Sequence, residues 1–292
     1  MEVTQYRTLF ADLPVAWAVH DRGRILDANN AAAELFAITS IEDVLGGDLL
    51  DHVHPDSVDS VRSRLQQLYT SGNPVQAVPE RMLRGDGRDL WVETIASLTT
   101  IDGRPVVQVL CWDVTDRVLE AERLNHAAHH DGLTGLANRA LLESRWGVLV
   151  DDWITSGATP HLLFCDLDGF KRVNDTLGHD AGDCVLKAVA ARLAHAVRPT
   201  DIIGRFGGDE FVVLLGGEDV TAVQHLARRL TDVLLEPIQV ADDVVRLGMS
   251  VGLATPQSPD ESLDSLLRRA DRAMYEAKRS RSSPTLPAAA DL

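Results

Sequence analysis

Ile202-Ile203-Gly204-Arg205-Phe206-Gly207-Gly208-Asp209-Glu210-Phe211-Val212-Val213-Leu214-Leu215 decides the fold of the second half of this chain. Two apolar runs flank Gly207-Gly208-Asp209-Glu210, so the pattern reads strand, tight turn, strand. Paired glycines permit positive φ and close approach of a ligand to the backbone. Two adjacent carboxylates at such a tip repel one another unless positive charge, most simply a metal ion, sits beside them.

A second acidic stretch lies upstream. His161-Leu162-Leu163-Phe164-Cys165-Asp166-Leu167-Asp168 is an apolar strand ending in acids, followed by Gly169-Phe170-Lys171 and a short polar helix through Asn174. If the two strands are neighbours in one sheet, Asp166 faces the Gly207 to Glu210 turn. A hard cation such as Mg2+ takes few protein carboxylates and completes its shell with phosphate and water. Backbone N–H groups of Gly169 and Phe170 at a helix start suit phosphate, and Lys171 adds a point charge. Together these features point to nucleotide chemistry.

Four ordered blocks carry a family resemblance. Asp131-Gly132-Leu133-Thr134-Gly135-Leu136-Ala137-Asn138-Arg139 resembles the opening signature of GGDEF domains, the diguanylate cyclases. Asp166 to Lys171 with Asn174, Asp175, Gly178, His179, Gly182 and Asp183 resembles their central block, and Gly204 to Phe211 the name-giving hairpin. Ala270 to Lys278 resembles their closing helix. The resemblance runs from about Asp131 to Arg281. It implies condensation of two GTP into cyclic di-GMP with release of two pyrophosphates, each subunit of a dimer holding one GTP. It further implies Mg2+ (or Mn2+) on Asp166, the Leu167 carbonyl, Asp209 and Glu210, with Asp209 as proton acceptor. Phe170, Lys171, Gly207, Gly208 and Lys278 fall at positions that hold the triphosphate. Asn174 and Asp183 match guanine-reading positions, with His179 in the same block. A carboxylate accepts from guanine N1–H and N2–H together, which adenine cannot offer, so ATP is expected to be a poor substrate.

Arg198-Pro199-Thr200-Asp201 has the R-x-x-D pattern at the distance from the hairpin where many family members carry an inhibitory product site. Arginine stacks on guanine and grips phosphate while aspartate takes the guanine edge. Arg228 or Arg229 on the next helix would supply a further grip from a neighbouring domain, a solvated helix face being the alternative. The bland readings are that Asp168 and Asp175 are solvated acids, that Asp131 and Arg139 pair to fix the entry turn, that Cys165 and Cys184 are core, and that His195 is surface. Two other function classes stay open: a receptor for cyclic di-GMP using only Arg198 and Asp201, and a GTP-binding regulatory domain. After Lys278 the chain reads Arg279-Ser280-Arg281, where the family often ends Gly-Arg-Asn, so which arginine reaches the triphosphate is undecided.

The first part of the chain reads as a separate domain, with short strands at Val15 to His20, Ile25 to Ala28, Leu90 to Ser97 and Val106 to Cys111, and a turn at Arg84-Gly85-Asp86-Gly87-Arg88. It resembles a PAS sensor domain, including the closing Trp112-Asp113-Val114-Thr115-Asp116-Arg117. Its ligand is unknown from sequence. His52 and His54 are better read as structural than as haem ligands, and Cys111 lies in the last strand, not in a flavin-type motif. Asp113 to Ala128 lacks Gly and Pro, and Val114, Val118, Ala121, Asn125 and Ala128 alternate steps of four and three, a short coiled-coil seam that would join two copies. An ordinary amphipathic helix is the alternative.

The expected organisation is a PAS domain over 1–112, a helical linker over 113–130, a GGDEF domain over 131–281 and a disordered tail over 282–292. Both domains are expected to be α+β: an antiparallel sheet with helices on one side, then a palm-like sheet surrounded by helices at Ala140 to Ile154, Ala181 to Val197, Asp219 to Leu235 and Ser262 to Lys278. The 292 residues suit two cores. A net charge of -16 argues against nucleic acid and anionic membranes. No apolar run approaches the ~20 residues of a membrane span, Met1 to Thr4 does not read as a signal peptide, and three scattered cysteines fit a cytoplasmic setting. With no phosphodiesterase domain following, synthesis alone is expected.

Overall fold

The computed structural model describes residues 10, 11, 13–74 and 77–282, and side chains of its last helix to Arg279. Met1 to Thr4 and the tail beyond Ser282 lie outside the described residues. The chain divides into two units, Met1–Arg123 and Leu124–Leu292.

The first unit is built on five strands, β1 (Ala16–Asp21), β2 (Arg24–Ala28), β3 (Glu80–Leu83), β4 (Asp89–Ile101) and β5 (Arg104–Asp113). They form an antiparallel sheet in the order β2-β1-β5-β4-β3. Strand β3 was not foreseen: four residues with charge at both its neighbouring turn and its first position give no clear alternation. Strand β4 runs past Ser97 to Ile101, because all ten residues of β5 pair with it. Helices α1 (Asn30–Phe36) and α2 (Val58–Ser71) follow the first hairpin. His54 caps the short helical turn that starts at Pro55, its Nδ1 accepting from the Asp56 N–H at 3.2 Å, which is the structural role expected of it. At the end of the sheet the Asp113 carboxylate accepts from the Thr115 N–H at 2.8 Å and the Trp91 N–H donates to Thr115 Oγ1 at 2.9 Å. These bonds start helix α3 (Thr115–His129) and tie its first turn to β4. No residue of α3 is buried, and Ala121, Asn125 and Ala128 of the foreseen seam are exposed.

The second unit has helix α4 (Arg139–Ser156), β6 (His161–Asp168), α5 (Phe170–Leu177), α6 (His179–Ala196), β7 (Ile202–Gly207), β8 (Glu210–Leu215), α7 (Val220–Asp232), β11 (Gly248–Ala254) and α8 (Leu263–Ser282), with a small hairpin β9 (Ile238–Val240) and β10 (Asp243–Val245). Its main sheet has the order β11-β6-β8-β7, antiparallel throughout. The central strands are apolar on both faces because helices cover both. Leu163, Cys165, Leu167, Phe211, Val213 and Leu215 face a core completed by α5, α6 and α7. Leu162, Phe164, Val212 and Leu214 face one completed by α4 and α8. Side chains alternate along a strand, so Asp166 and Glu210 inherit the α4/α8 face. Cys184, expected in the core, is exposed: Gly182 and Val185 take the inward positions of α6 and leave it outside that stripe.

Candidate functional site

The site grows from the register of β6 on β8. Asp166 stands directly opposite Glu210, and the Leu167 N–H donates to the Asp209 carbonyl at 3.3 Å. Gly208, at φ +50, and Asp209 form the turn between β7 and β8. The acids are therefore brought to one end of the sheet, as the strand reading required.

Their charge is met from α8. Leu266, Ala270 and Met274 form a buried stripe at four-residue spacing, and Lys278 is the next position along it. Gly252 of β11 lets the helix come this close, since a Cβ there would collide with the Ala270 carbonyl and the Met274 amide. Lys278 Nζ consequently bonds Asp166 and lies 3.4 Å from Asp168. Asp168 also accepts from buried Ser250 Oγ at 2.9 Å, so it is a held acid and not a solvated one.

Electrostatics follow the crowding. Burial, then the charge of Asp166, pushes the Asp209 carboxyl above its ordinary value. Burial again leads for Glu210, joined by Asp166, Asp209 and Asp271, and raises it too. Burial alone would lower the Lys278 ammonium, but its bond to Asp166 and the charges of Asp166 and Asp168 outweigh this and raise it. Among the described residues no three His, Cys, Asp or Glu side chains stand close enough to chelate a metal ion as they are. The donor set nevertheless fits a hard divalent cation: it is all oxygen, mutually repelling, and already holds one cationic group, the Lys278 ammonium.

The hairpin is braced by a residue that sequence reading passed over. Arg205 Nε donates to the Gly208 carbonyl at 2.9 Å, and its Nη1 reaches Asp131 at 3.2 Å. Asp131 also accepts from the Thr134 N–H and hydroxyl. The expected Asp131–Arg139 pairing is thus incorrect. Arg139 instead binds Glu143 and Asp264, both at 2.9 Å, and lies over the Phe206 ring. An arginine inside a strand, three residues before the turn, outcompetes one placed on the far side of the helix cap. Its signal was its position two residues before the glycine pair.

At the other end of the cradle, Gly169 at φ +86 opens α5. The Phe170 ring is in the core, so only its backbone is available to a ligand, whereas Lys171, His179 and Asp183 are exposed. Asn174 Oδ1 is buried without a hydrogen-bond partner, and a Cβ on Gly182 would fall on it. Gly182 thus makes the room that Asn174 occupies beside Asp183. Arg198 and Asp201 form a closed turn of their own: the Arg198 N–H donates to Asp201 Oδ2 at 2.9 Å and the Asp201 N–H to the Arg198 carbonyl at 3.0 Å. The Arg198 guanidinium pairs with Glu218, while Arg228 and Arg229 are exposed on α7. His195 is exposed near the end of α6, as expected.

Residues 128–284 match the family model described as diguanylate cyclase, GGDEF domain. The chain belongs to the GGDEF family. Residues 4–112 match the model of the PAS fold. Among GGDEF relatives, the probable diguanylate cyclase DgcE of Escherichia coli is 30% identical over 254 residues, 85% of this chain and 23% of that protein. A solved sensory box/GGDEF family protein from Caulobacter crescentus is 39% identical with a TM-score of 0.50, covering 52% of this chain and 99% of that one. The coiled coil and GGDEF domain of DgcB from Caulobacter crescentus, solved in complex with c-di-GMP, is 29% identical with a TM-score of 0.53, covering 56% and 88%. This GGDEF chain spans 34%, 31% and 23% of the length of the first curated relatives it matches. No helix among the described residues is long and apolar enough to cross a membrane.

Proposed function

We propose that the chain is a diguanylate cyclase, joining two GTP into cyclic di-GMP. The observation that carries this reading is the Asp166–Glu210 pairing beside the Gly208-Asp209 turn, an acidic end of a sheet balanced by Lys278. Asp166, the Leu167 carbonyl, Asp209 and Glu210 would hold Mg2+ or Mn2+. A divalent cation bound there supplies Lewis-acid polarisation of the α-phosphate and lowers the pKa of the attacking hydroxyl.

The chain's own groups do the rest. A raised carboxyl suits Asp209 to receive the proton of the 3′-hydroxyl. The new bond joins that oxygen to the α-phosphorus of the other GTP, and the bond from α-phosphorus to the bridging oxygen breaks, so pyrophosphate leaves with the electron pair. Lys171 and the backbone N–H groups at Gly169 and Phe170 would steady the phosphates, with Gly207 and Gly208 leaving room for them. Lys278 would exchange its carboxylates for the triphosphate. Asn174 and Asp183 would read guanine, with His179 beside them; the unpaired Asn174 Oδ1 is an acceptor awaiting a donor.

Because both 3′-hydroxyls must attack, two copies must meet, joined by α3 and the PAS domain, with the PAS domain regulating the encounter. The domain limits proposed are 1–112, 113–130 and 131–281. Product would inhibit at Arg198, Asp201 and Arg229. Turnover tests the reading: with Mg2+, GTP should give cyclic di-GMP and two pyrophosphates per product, ATP should give neither, and Asp183→Ala should erode that preference by ~100-fold. Equal turnover of ATP would sink it.

A further inference from the structure

Helix α3 ends in His126, His129 and, immediately after it, His130; none belongs to the acidic cluster at the hairpin. His126 and His130 stand one turn apart, the His130 N–H donating to the His126 carbonyl at 2.8 Å. Their rings stack, with centroids 4.2 Å apart and planes 13° from parallel. Burial does not force this contact, since His126 is exposed and His130 half-buried. Two imidazoles at i and i+4 share one helix face, the spacing with which a helix grips a single metal ion.

His130 is oriented for that role. Its Nδ1 lies 3.0 Å from the Gly135 carbonyl, which can only accept, so Nδ1 carries the proton and the neutral ring presents its lone pair on Nε2. A carbonyl on the far nitrogen is the common way in which a metal-binding imidazole is fixed and made more basic. The backbone around it is held as well: His130 bridges to Ala137, and the Asn138 side chain donates to the Ala128 carbonyl at 2.9 Å. His129 does not join the pair, because its Nδ1–H turns back to the Asn125 carbonyl at 2.8 Å. The last turn of a helix carries partial negative charge, which favours a cation there.

We propose that His126 and His130 chelate one borderline divalent transition-metal ion of the Zn2+ class. Imidazole suits Zn2+, Ni2+ and Cu2+, whereas Mg2+ takes oxygen. Rotation about χ2 opens the stack and brings the two nitrogens to the ~3.3 Å that a tetrahedral ion with ~2.05 Å bonds spans. Water completes the shell, because no group of three His, Cys, Asp or Glu ligands forms among the described residues. The role is binding and not hydrolysis, since Ala127 and Ala128 supply no general base between the two histidines. A bound ion ties the last turn of α3 to the Asp131 to Gly135 turn, which Arg205 braces. The proposal is independent of the cyclase reading.

Calorimetric titration of the full chain with ZnCl2 in excess Mg2+ tests it, because Mg2+ competes at carboxylate oxygens and leaves imidazole free. The native chain should bind Zn2+ saturably. His126→Ala and His130→Gln should each weaken that binding at least ~10-fold, the least that loss of even a supporting partner costs a metal site. His129→Ala should leave it unchanged. No saturable Zn2+ binding by the native chain, binding kept by either His126→Ala or His130→Gln, or binding lost in His129→Ala would each overturn the proposal. His130→Gln retains an N–H for the Gly135 carbonyl. If it still loosens the fold by circular dichroism, His126→Ala, which removes only the stacked ring, decides alone.

Discussion

Asp209 and Glu210 ionise against their surroundings, and this has a measurable sign. A carboxyl raised by folding holds its proton longer in the native state than in the unfolded one. Its contribution to stability is complete below its ordinary value, 3.8 for Asp209 and 4.5 for Glu210, and is lost as pH rises through the higher native value. Asp209→Asn should therefore match the wild type in melting temperature near pH 3.5 and exceed it at pH 7 in a chelator. The gap should narrow when Mg2+ is added, since positive charge then compensates the wild type. A variant less stable than wild type at pH 7 would contradict this. Glu218 offers a second residue-scale test, because its pairing holds the Arg198 guanidinium proposed to grip product. Exposed pairs of this kind are weak, so Glu218→Gln should lower the cyclic di-GMP concentration for half inhibition by about 2–5-fold. A rise instead would place product elsewhere. Which acids converge was legible from strand ends in the sequence, but which cations serve them was not. Arg205 and Lys278 reach their carboxylates across 74 and 112 residues, distances over which local pattern carries no signal.

At the scale of elements, the position of α8 controls the acidic cluster. Four-residue spacing buries Leu266, Ala270 and Met274, and the same spacing delivers Lys278 to Asp166. The approach depends on Gly252. Gly252→Ala would press a methyl group into the backbone of α8 at Ala270 and Met274. It should cost about 1–3 kcal/mol in urea unfolding and lower activity by displacing Lys278. An unchanged midpoint would mean that the helix tolerates a wider spacing. The four foreseen helices of this unit lie within four residues of their observed limits, because apolar periodicity marks them. The GGDEF hairpin was equally plain, with glycines between two apolar runs. Strand β3 and Cys184 were not, since a short edge strand and a helix's inward face depend on the neighbours they pack against.

At the scale of the whole molecule, a chain of net charge -16 must gather positive charge locally to hold triphosphates. Lys171, Lys278 and a divalent cation would do so at the end of one sheet. Ala121, Asn125 and Ala128 along α3 are exposed and available to a second copy, in keeping with the proposed dimer, whereas Val114 of the foreseen seam is buried and Val118 half-buried. The two-unit architecture was legible because each unit carries its own motifs. The most direct test of the central claim is chromatographic quantification of cyclic di-GMP from GTP and Mg2+, with wild-type protein stripped of product and Asp209→Asn run in parallel. Wild-type protein should give product, and the variant should turn over at a rate at least ~100-fold lower. Equal rates from the two, or no product from stripped wild-type protein, would contradict it.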